Sequence, residues 1–185
     1  MVKGTVESGL DLILLLLYAK GSTGTLKEEI PDTTRLIKLL FLLVKEGGFA
    51  KIGKELRFEP KDYGPWSGDV FDAIEALKEI ELIETQKLPP NSFEEIADYV
   101  EWVEEVPIHS LSNFDKQKNT YYLTERGAKV AKTLYQNLDN KERMQIERIK
   151  NTFNRMDLNK LLQYVYTKYP ESTIKSKIKN KILNN

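Results

Sequence analysis

The helix predicted over residues 33–46 constrains the fold most, because it is apolar around nearly its whole circumference. Asp32 is placed to cap its start, and Gly47-Gly48 ends it. The apolar surface is interrupted only by a narrow polar strip of Arg35, Lys38, Lys45 and Glu46. A helix of this kind has to be enclosed by other elements. The pattern therefore predicts a central helix inside a multi-element core.

Several segments can supply the elements around it. Residues 8–19 predict a helix ended by Gly21, and Ser67 caps a helix that reaches Ile80. Residues 49–58 alternate around Gly53-Lys54, which predicts a β-hairpin. Further along the chain the patterns predict strands at 82–85 and 120–124, an acidic helix at 92–105, and helices at 125–138, 140–154, 157–168 and 172–183.

This order of elements indicates a mainly α fold with a minor β component. A helix, a strand, a returning strand and a further helix are typical of a winged helix-turn-helix, here with small β-hairpins and with an acidic helix inserted near 92–105. We expect the winged-helix-like core to occupy residues 1–138. Residues 139–185 are then a C-terminal helical extension packed on that core.

Residue types exclude several classes of function. The 185-residue chain has no cysteine and a single histidine, His109, so the residues for a His-dependent triad or a multi-histidine metal site are missing. No glycine-rich phosphate loop occurs, and acidic pairs such as Glu94-Glu95 fit a solvated helix face. The apolar run 12–19 is too short for a membrane span. We therefore expect a cytoplasmic, non-catalytic protein with no cofactor, no metal and no membrane contact.

Charge is divided unevenly although the chain is neutral overall. Residues 61–110 contain 3 lysines or arginines against 13 acids, and residues 111–185 contain 16 against 7. The acidic middle and the basic C-terminal third either attract each other or face different partners.

Four segments resemble a known family. They are residues 34–43, 58–67, 82–84 and 122–127, and they resemble the uncharacterised YwgA-like proteins and, more distantly, the Panacea or SocA-like antitoxin domain. Residues 166–178 are similar to the end of YwgA-like chains. The most telling motif is Tyr-Gly-Pro-aromatic-Ser at 63–67. The resemblance covers about half the chain and implies a winged-helix core that binds a partner.

Double-stranded DNA is the first partner to consider, because DNA binding is the usual role of a winged helix. Exposed donors and cations are needed for it. The candidate contacts in the predicted helix start and hairpin are Thr33, Thr34, Arg35, Lys38, Lys51, Lys54 and Arg57, joined by Lys175 and Lys179 near the C-terminus. Alternatively, the 33–46 helix is mostly core, and the C-terminal helix is a soluble helix packed by its isoleucines. The leading hypothesis is a DNA-binding regulatory protein.

The 67–80 helix is unsuited to a DNA groove. Its outward positions are Asp69, Asp72, Glu75, Lys78 and Glu79, and four carboxylates against one lysine repel phosphates.

A protein partner, or a second copy of the chain, is the rival hypothesis. Here the winged helix is a scaffold for an interaction module of the antitoxin type, and Tyr63, Trp66, Tyr99 and Trp102 are the candidate contacts. The inserted helix carries an apolar arc wider than one docking face needs. The alternative is that this helix folds back against residues 125–138.

Overall fold

The computed structural model describes residues 6–87 and 119–184, and this part of the chain is mainly helical with small antiparallel sheets. Its helices are α1 (Gly9–Tyr18), α2 (Thr33–Glu46), α3 (Ala50–Leu56), α4 (Gly68–Glu79), α5 (Glu125–Asn137), α6 (Asn140–Phe153), α7 (Leu158–Lys168) and α8 (Lys179–Asn184). Its strands are β1 (Ile30–Pro31), β2 (Glu59–Lys61), β3 (Gly64–Trp66), β4 (Ile83–Lys87) and β5 (Asn119–Leu123). The predicted mainly α class is confirmed.

The central helix α2 has the bounds that the sequence predicts. The Asp32 carboxylate accepts a hydrogen bond from the Arg35 backbone N–H at 2.6 Å and so caps the helix. The apolar side chains from Leu36 to Leu43 are buried all round the helix. Helices α1, α6 and α7 pack against it. The C-terminal helices therefore share one core with the N-terminal ones.

A three-stranded antiparallel sheet in the order β1-β5-β4 lies beside this core. Ile30 of β1 pairs with Tyr121, and Ile83 of β4 pairs with Leu123. At the end of β5, the Thr124 side chain caps α5 by accepting from the Gly127 N–H at 2.9 Å. The order α4, β4, β5, α5 is the helix–strand–strand–helix sequence expected of a winged helix. The residues between β4 and β5 lie outside the described ranges, and so does the predicted helix at 92–105.

The hairpin predicted over 49–58 is wrong, because that segment forms helix α3. Ile52 and Leu56 are four residues apart, so a helix buries both on one side. A hairpin does form, but later, between β2 and β3. Its turn needs Gly64, whose φ of +81° is in the left-handed region that favours glycine. Lys51, Lys54 and Arg57 therefore belong to α3 and its C-cap, not to a wing.

The helix predicted over 172–183 is also wrong. A 3-10 turn spans Pro170–Thr173, an irregular segment follows, and α8 begins only at Lys179. Ile178 and Ile182 are buried, but Ile174 is 68% exposed, so the three isoleucines do not share one buried face. Lys175 lies in the irregular segment and Lys179 in the short helix.

Candidate functional site

The polar side chains at the start of α2 point into the protein. Arg35 is only 7% exposed, and its guanidinium donates to the Phe153 and Met156 carbonyls, each at 2.7 Å. Lys38 is 3% exposed and donates to the Pro65 carbonyl at 2.9 Å. These two cations join α2 to the end of α6 and to the hairpin, so this structure does not present them to the phosphates that the DNA prediction assigns to them.

The two threonines beside them offer little more surface. The buried Thr33 hydroxyl lies 2.7 Å from the Tyr121 hydroxyl, within the core. Thr34 is half-buried. The N-terminus of α2 therefore lacks the exposed polar face that groove recognition requires.

The cations of α3 are exposed. Lys51 and Lys54 are three residues apart on one side of the helix. Arg57 also reaches solvent, but its guanidinium pairs with the Asp69 carboxylate of α4. The exposed predicted DNA contacts are thus Lys51, Lys54, the paired Arg57 and Lys175, while Lys179 is half-buried.

The Tyr-Gly-Pro-Trp-Ser motif is a structural junction. A Cβ at Gly64 would lie 2.8 Å from the Tyr166 ring of α7, so the close approach there requires glycine. The Ser67 hydroxyl caps α4 by accepting from the Val70 N–H at 3.1 Å and donates to the Leu56 carbonyl. The motif therefore joins the hairpin to α3, α4 and α7.

Trp66 is the motif's partly exposed aromatic side chain. One neighbour is Phe71, whose ring centroid is 5.6 Å away. The Lys61 ammonium lies 3.3 Å from the centroid of the Trp66 ring, a cation–π contact. Trp66 therefore packs on α4, and its ring already contacts the Lys61 ammonium. Tyr63 is also half-buried and packs against the core.

The outward side of α4 forms an acidic face, which we define as Asp69, Asp72, Glu75 and Glu79. Successive members are three or four residues apart, so they lie along one stripe of the helix. Asp69 pairs with Arg57, and the Glu75 carboxylate pairs with Lys78 at 2.9 Å. Arg57 holds the pKa of Asp69 below its usual range through a hydrogen bond and charge attraction. Asp72 and Glu79 are exposed and make no salt bridge within the described residues.

Two shallow depressions flank this face. One, of about 330 Å³, is lined by Arg57, Glu59, Trp66, Gly68, Asp69 and Asp72. The other, of about 420 Å³, is lined by Lys78, Glu81, Ile83, Glu84, Thr124, Glu125 and Arg126. Carboxylates outnumber cations in both, so the negative surface extends beyond α4 to the hairpin and to the β4–α5 junction.

A buried lysine is a polar feature that the sequence patterns did not single out. Lys150 of α6 is fully buried, and its ammonium donates to the Leu17 and Ala19 carbonyls at 2.8 and 2.9 Å. Burial lowers its pKa to about 7, although Glu28 and Glu29 oppose this shift. The sequence does contain a signal for this burial, because Lys150 lies on the apolar stripe of α6 with Ile146, Ile149 and Phe153.

Glu28 is the nearby buried carboxylate. Burial alone would raise its pKa, but hydrogen bonds from Thr23 and Asn154 lower it to about 2. The Thr23 backbone N–H donates at 2.8 Å and the Asn154 amide at 2.6 Å. Because Glu28 and Lys150 are both enclosed, they hold the segment after α1 in place and offer no accessible site.

The remaining predictions can be compared only with residues 6–87 and 119–184, which the structure describes. Within 6–87 and 119–184, no group of three histidine, aspartate or glutamate side chains is placed to hold a metal ion. No helix in these ranges is long and apolar enough to cross a bilayer. Tyr99, Trp102 and His109 lie outside them. The partner-binding prediction for Tyr99 and Trp102 therefore stays a prediction.

Comparison with known proteins finds no match: no family model, no curated protein and no solved structure is similar to the chain. The resemblance to the YwgA-like and Panacea proteins therefore stays a prediction from the motifs, and the function has to be argued from the surface.

Proposed function

We propose that this protein is a non-catalytic interaction module that binds a basic protein partner on the acidic face of α4. The observation that carries the proposal is the stripe of four outward carboxylates on the helix that precedes the wing strands. In a DNA-binding winged helix, the corresponding helix offers donors and cations to the groove. Carboxylates at that position repel phosphates and attract lysine and arginine side chains.

Burial of the α2 cations supports the same proposal. Because Arg35 and Lys38 donate to internal carbonyls, exposing them to phosphates would leave buried acceptors unpaired. The exposed cations of the 33–57 region are Lys45, Lys51, Lys54 and the Asp69-paired Arg57. These three lysines and one paired arginine are fewer than the roughly six to ten phosphate contacts that make DNA binding steeply salt-dependent.

The hairpin gives the face an aromatic edge. Trp66 borders the depression that contains Asp69 and Asp72, and Lys61 already lies on its ring. Tryptophan and arginine are the residues most often found at the energetic centre of protein interfaces. A partner that presents arginine or lysine can therefore contact the ring and the carboxylates together once it displaces Lys61 from the ring. This agrees with the binding role that the antitoxin-domain resemblance implies.

The test compares three matched variants of the full chain as baits for partner capture, each followed by identification of what is retained. Asp72→Lys with Glu79→Lys reverses the two carboxylates of the acidic face that make no salt bridge within the described residues. Glu7→Lys with Glu171→Lys makes the same change in net charge elsewhere on the exposed surface, and it also removes the exposed Lys45–Glu171 pair. Lys51→Glu with Lys54→Glu removes the strongest remaining DNA candidates.

We expect a protein that the wild type and the two control variants retain but the α4 variant loses. Its release should become easier with added salt, because exposed charge pairs are screened beyond about 8 Å at physiological ionic strength. The competing DNA hypothesis predicts low-salt binding to duplex DNA that disappears in the Lys51/Lys54 variant and survives in the α4 variant. That second pattern would overturn the proposal.

A further inference from the structure

Helix α5, which follows strand β5, carries a basic face on its outward side. We define this face as Arg126, Lys129 and Lys132, all of which are exposed. They are spaced three residues apart, so they fall within about a third of the helix circumference. None of the three makes a salt bridge within 6–87 and 119–184, and Glu125 is the only carboxylate of the helix. Among the described residues, these cations are therefore not neutralised by a partner.

The basic face of α5 and the acidic face of α4 belong to neighbouring helices. Both α4 and α5 pack against α1. Between the end of α4 and the start of α5, the Thr124 hydroxyl donates to the Glu81 carbonyl at 2.7 Å. Lys78 of α4 and Arg126 of α5 line the same depression of about 420 Å³. The two helices of opposite charge therefore meet at one depression.

Two neighbouring helices of opposite charge fit a second copy of the same chain. Most soluble oligomers are symmetric, and a two-fold axis brings the same surface of two copies together. An axis that passes through the depression sets α4 of each copy opposite α5 of the other. The exposed Asp72 and Glu79 then meet cations, and this contact forms twice.

A nucleic acid backbone fits this surface less well than a second copy does. The depression is lined by Glu81, Glu84 and Glu125 as well as by Lys78 and Arg126. These carboxylates repel phosphates, whereas a second copy offers them the two cations of its own depression. Three cations on α5 are also fewer than the roughly six to ten phosphate contacts that make DNA binding steeply salt-dependent. The mixed charges therefore favour a protein surface with the same mixture.

A large exposed apolar side chain lies beside each charged face. Ile80, which directly follows α4, is 49% exposed, and Val130 of α5 is 38% exposed. Val130 comes four residues after Arg126, so it adjoins the basic face. Exposed charge pairs alone contribute little, because water screens them. Burial of these two side chains in both copies adds an apolar contribution to the contact.

We propose that the chain forms a two-fold symmetric homodimer, in which the acidic face of each α4 binds the basic face of the other copy's α5. This inference rests on the proposed function, because it identifies the basic partner of the acidic face as a second copy of the chain. The dimer dissociates more readily as salt is added, since exposed charge pairs are screened.

The experiment measures the mass of the purified full chain by analytical ultracentrifugation, over a range of concentrations at low and at physiological salt. Two variants reverse charge on one face each. Asp72→Lys with Glu79→Lys changes the acidic face, and Lys129→Glu with Lys132→Glu changes the basic face. Lys129→Gln with Lys132→Gln is a milder second variant of the basic face. Circular dichroism checks that each variant is folded.

Two control variants make the same changes in net charge at exposed positions outside α4 and α5. Glu7→Lys with Glu171→Lys matches the acidic-face variant. Lys51→Glu with Lys54→Glu matches the basic-face variant.

We expect the wild type and both controls to dimerise. Each charge-reversed face variant alone should dimerise at least about tenfold more weakly, because like charges then meet at both contacts. An equimolar mixture of the two should recover dimers. In the mixed dimer, the new lysines of one α4 face the new glutamates of the other chain's α5, and the second contact keeps its wild-type charges.

A wild type that stays monomeric at low salt would overturn the proposal, and so would a mixture that associates no better than either variant alone. The proposed function fails in a different way, because it predicts only that partner capture depends on the acidic face. A monomeric chain that still captures another basic protein through α4 contradicts the homodimer alone. Association that survives reversal of the acidic face in both experiments contradicts the proposed function as well.

Discussion

Helices α2 and α4 both carry charged side chains, but two cations of α2 point into the protein and two carboxylates of α4 point into solvent. Arg35 and Lys38 of α2 are buried and donate to backbone carbonyls of distant segments. Asp72 and Glu79 of α4 are exposed to solvent. Because burying a charge is costly unless it is hydrogen-bonded, the α2 cations have structural roles. Because exposed charges contribute little to stability, the α4 carboxylates have no comparable structural role, which is what the proposed function requires.

Replacing Arg35 should produce the largest effect. Arg35→Ala removes two hydrogen bonds at 2.7 Å and leaves the Phe153 and Met156 carbonyls without their donor. We expect the free energy of unfolding to fall by about 3 kcal/mol, since each unsatisfied buried group costs about 1–3 kcal/mol. Urea denaturation followed by circular dichroism measures it. Lys54→Ala, at an exposed position, serves as the control and should change the free energy by less than about 0.5 kcal/mol. Equal values for both variants would mean that Arg35 contributes no more to stability than an exposed lysine does, and the structural role of the α2 cations would be lost.

The buried Lys150 extends this contrast to pH. Burial lowers its pKa from 10.5 to about 7 in the folded protein. Between these values the unfolded chain binds more protons at this group than the folded chain does, so raising the pH stabilises the fold. One group contributes about 1.4 kcal/mol per pH unit, or about 2–3 kcal/mol between pH 7 and pH 9.

Denaturation at pH 7, 8 and 9 measures this contribution against Lys150→Met, which has no group to titrate there. The free energy of unfolding should rise more steeply with pH for the wild type than for the variant. Parallel profiles would mean that the two carbonyl acceptors and the nearby Glu28 and Glu29 keep Lys150 charged in the folded protein over this pH range.

The burial of these cations could not be predicted from local sequence. The partner of Arg35 at Phe153 lies 118 residues along the chain, and the Lys150 acceptor at Leu17 lies 133 residues away. Patterns within a window of one helix place Arg35 and Lys38 on a polar strip, and a polar strip usually faces water. Only the tertiary arrangement, with α6 and the β2–β3 hairpin packed against α2, turns Arg35 and Lys38 inward.

Elements with side-chain caps were the most predictable. The bounds of α2 follow from Asp32 and Gly47, and those of α1 and α4 from Ser8 and Ser67, which hydrogen-bond the first turn of each helix. The outward carboxylates of α4 were likewise visible from the 3.6-residue period.

Two short segments were not predictable by the same means. In 49–58, Gly53-Lys54 resembles a hairpin turn, but Ile52 and Leu56 fit a helix equally well, and packing decides between the two. In 172–183, the isoleucine spacing fits a helix, yet the contacts of Ser176 and Lys177 with Asp62 accompany an irregular path. The hairpin carboxylate Asp62 was not singled out because its partner, Lys177, lies 115 residues along the chain.

Replacing Glu79 should change stability less than the other substitutions do. It should also change stability and partner binding in opposite directions. Glu79 lies at the C-terminal end of α4, where a carboxylate opposes the helix dipole. Glu79→Lys therefore replaces an unfavourable charge with a favourable one, and also places a lysine four residues after Glu75. We expect the free energy of unfolding to rise by up to about 0.5 kcal/mol, with Glu79→Gln giving about half of that. Both variants should weaken partner capture, and Glu79→Lys should weaken it more than Glu79→Gln does. A carboxylate that lowers stability but supports binding fits the trade-off between stability and function that is common at binding surfaces.

A loss of stability above about 1 kcal/mol in Glu79→Lys would instead assign this residue a structural role, as for the cations of α2.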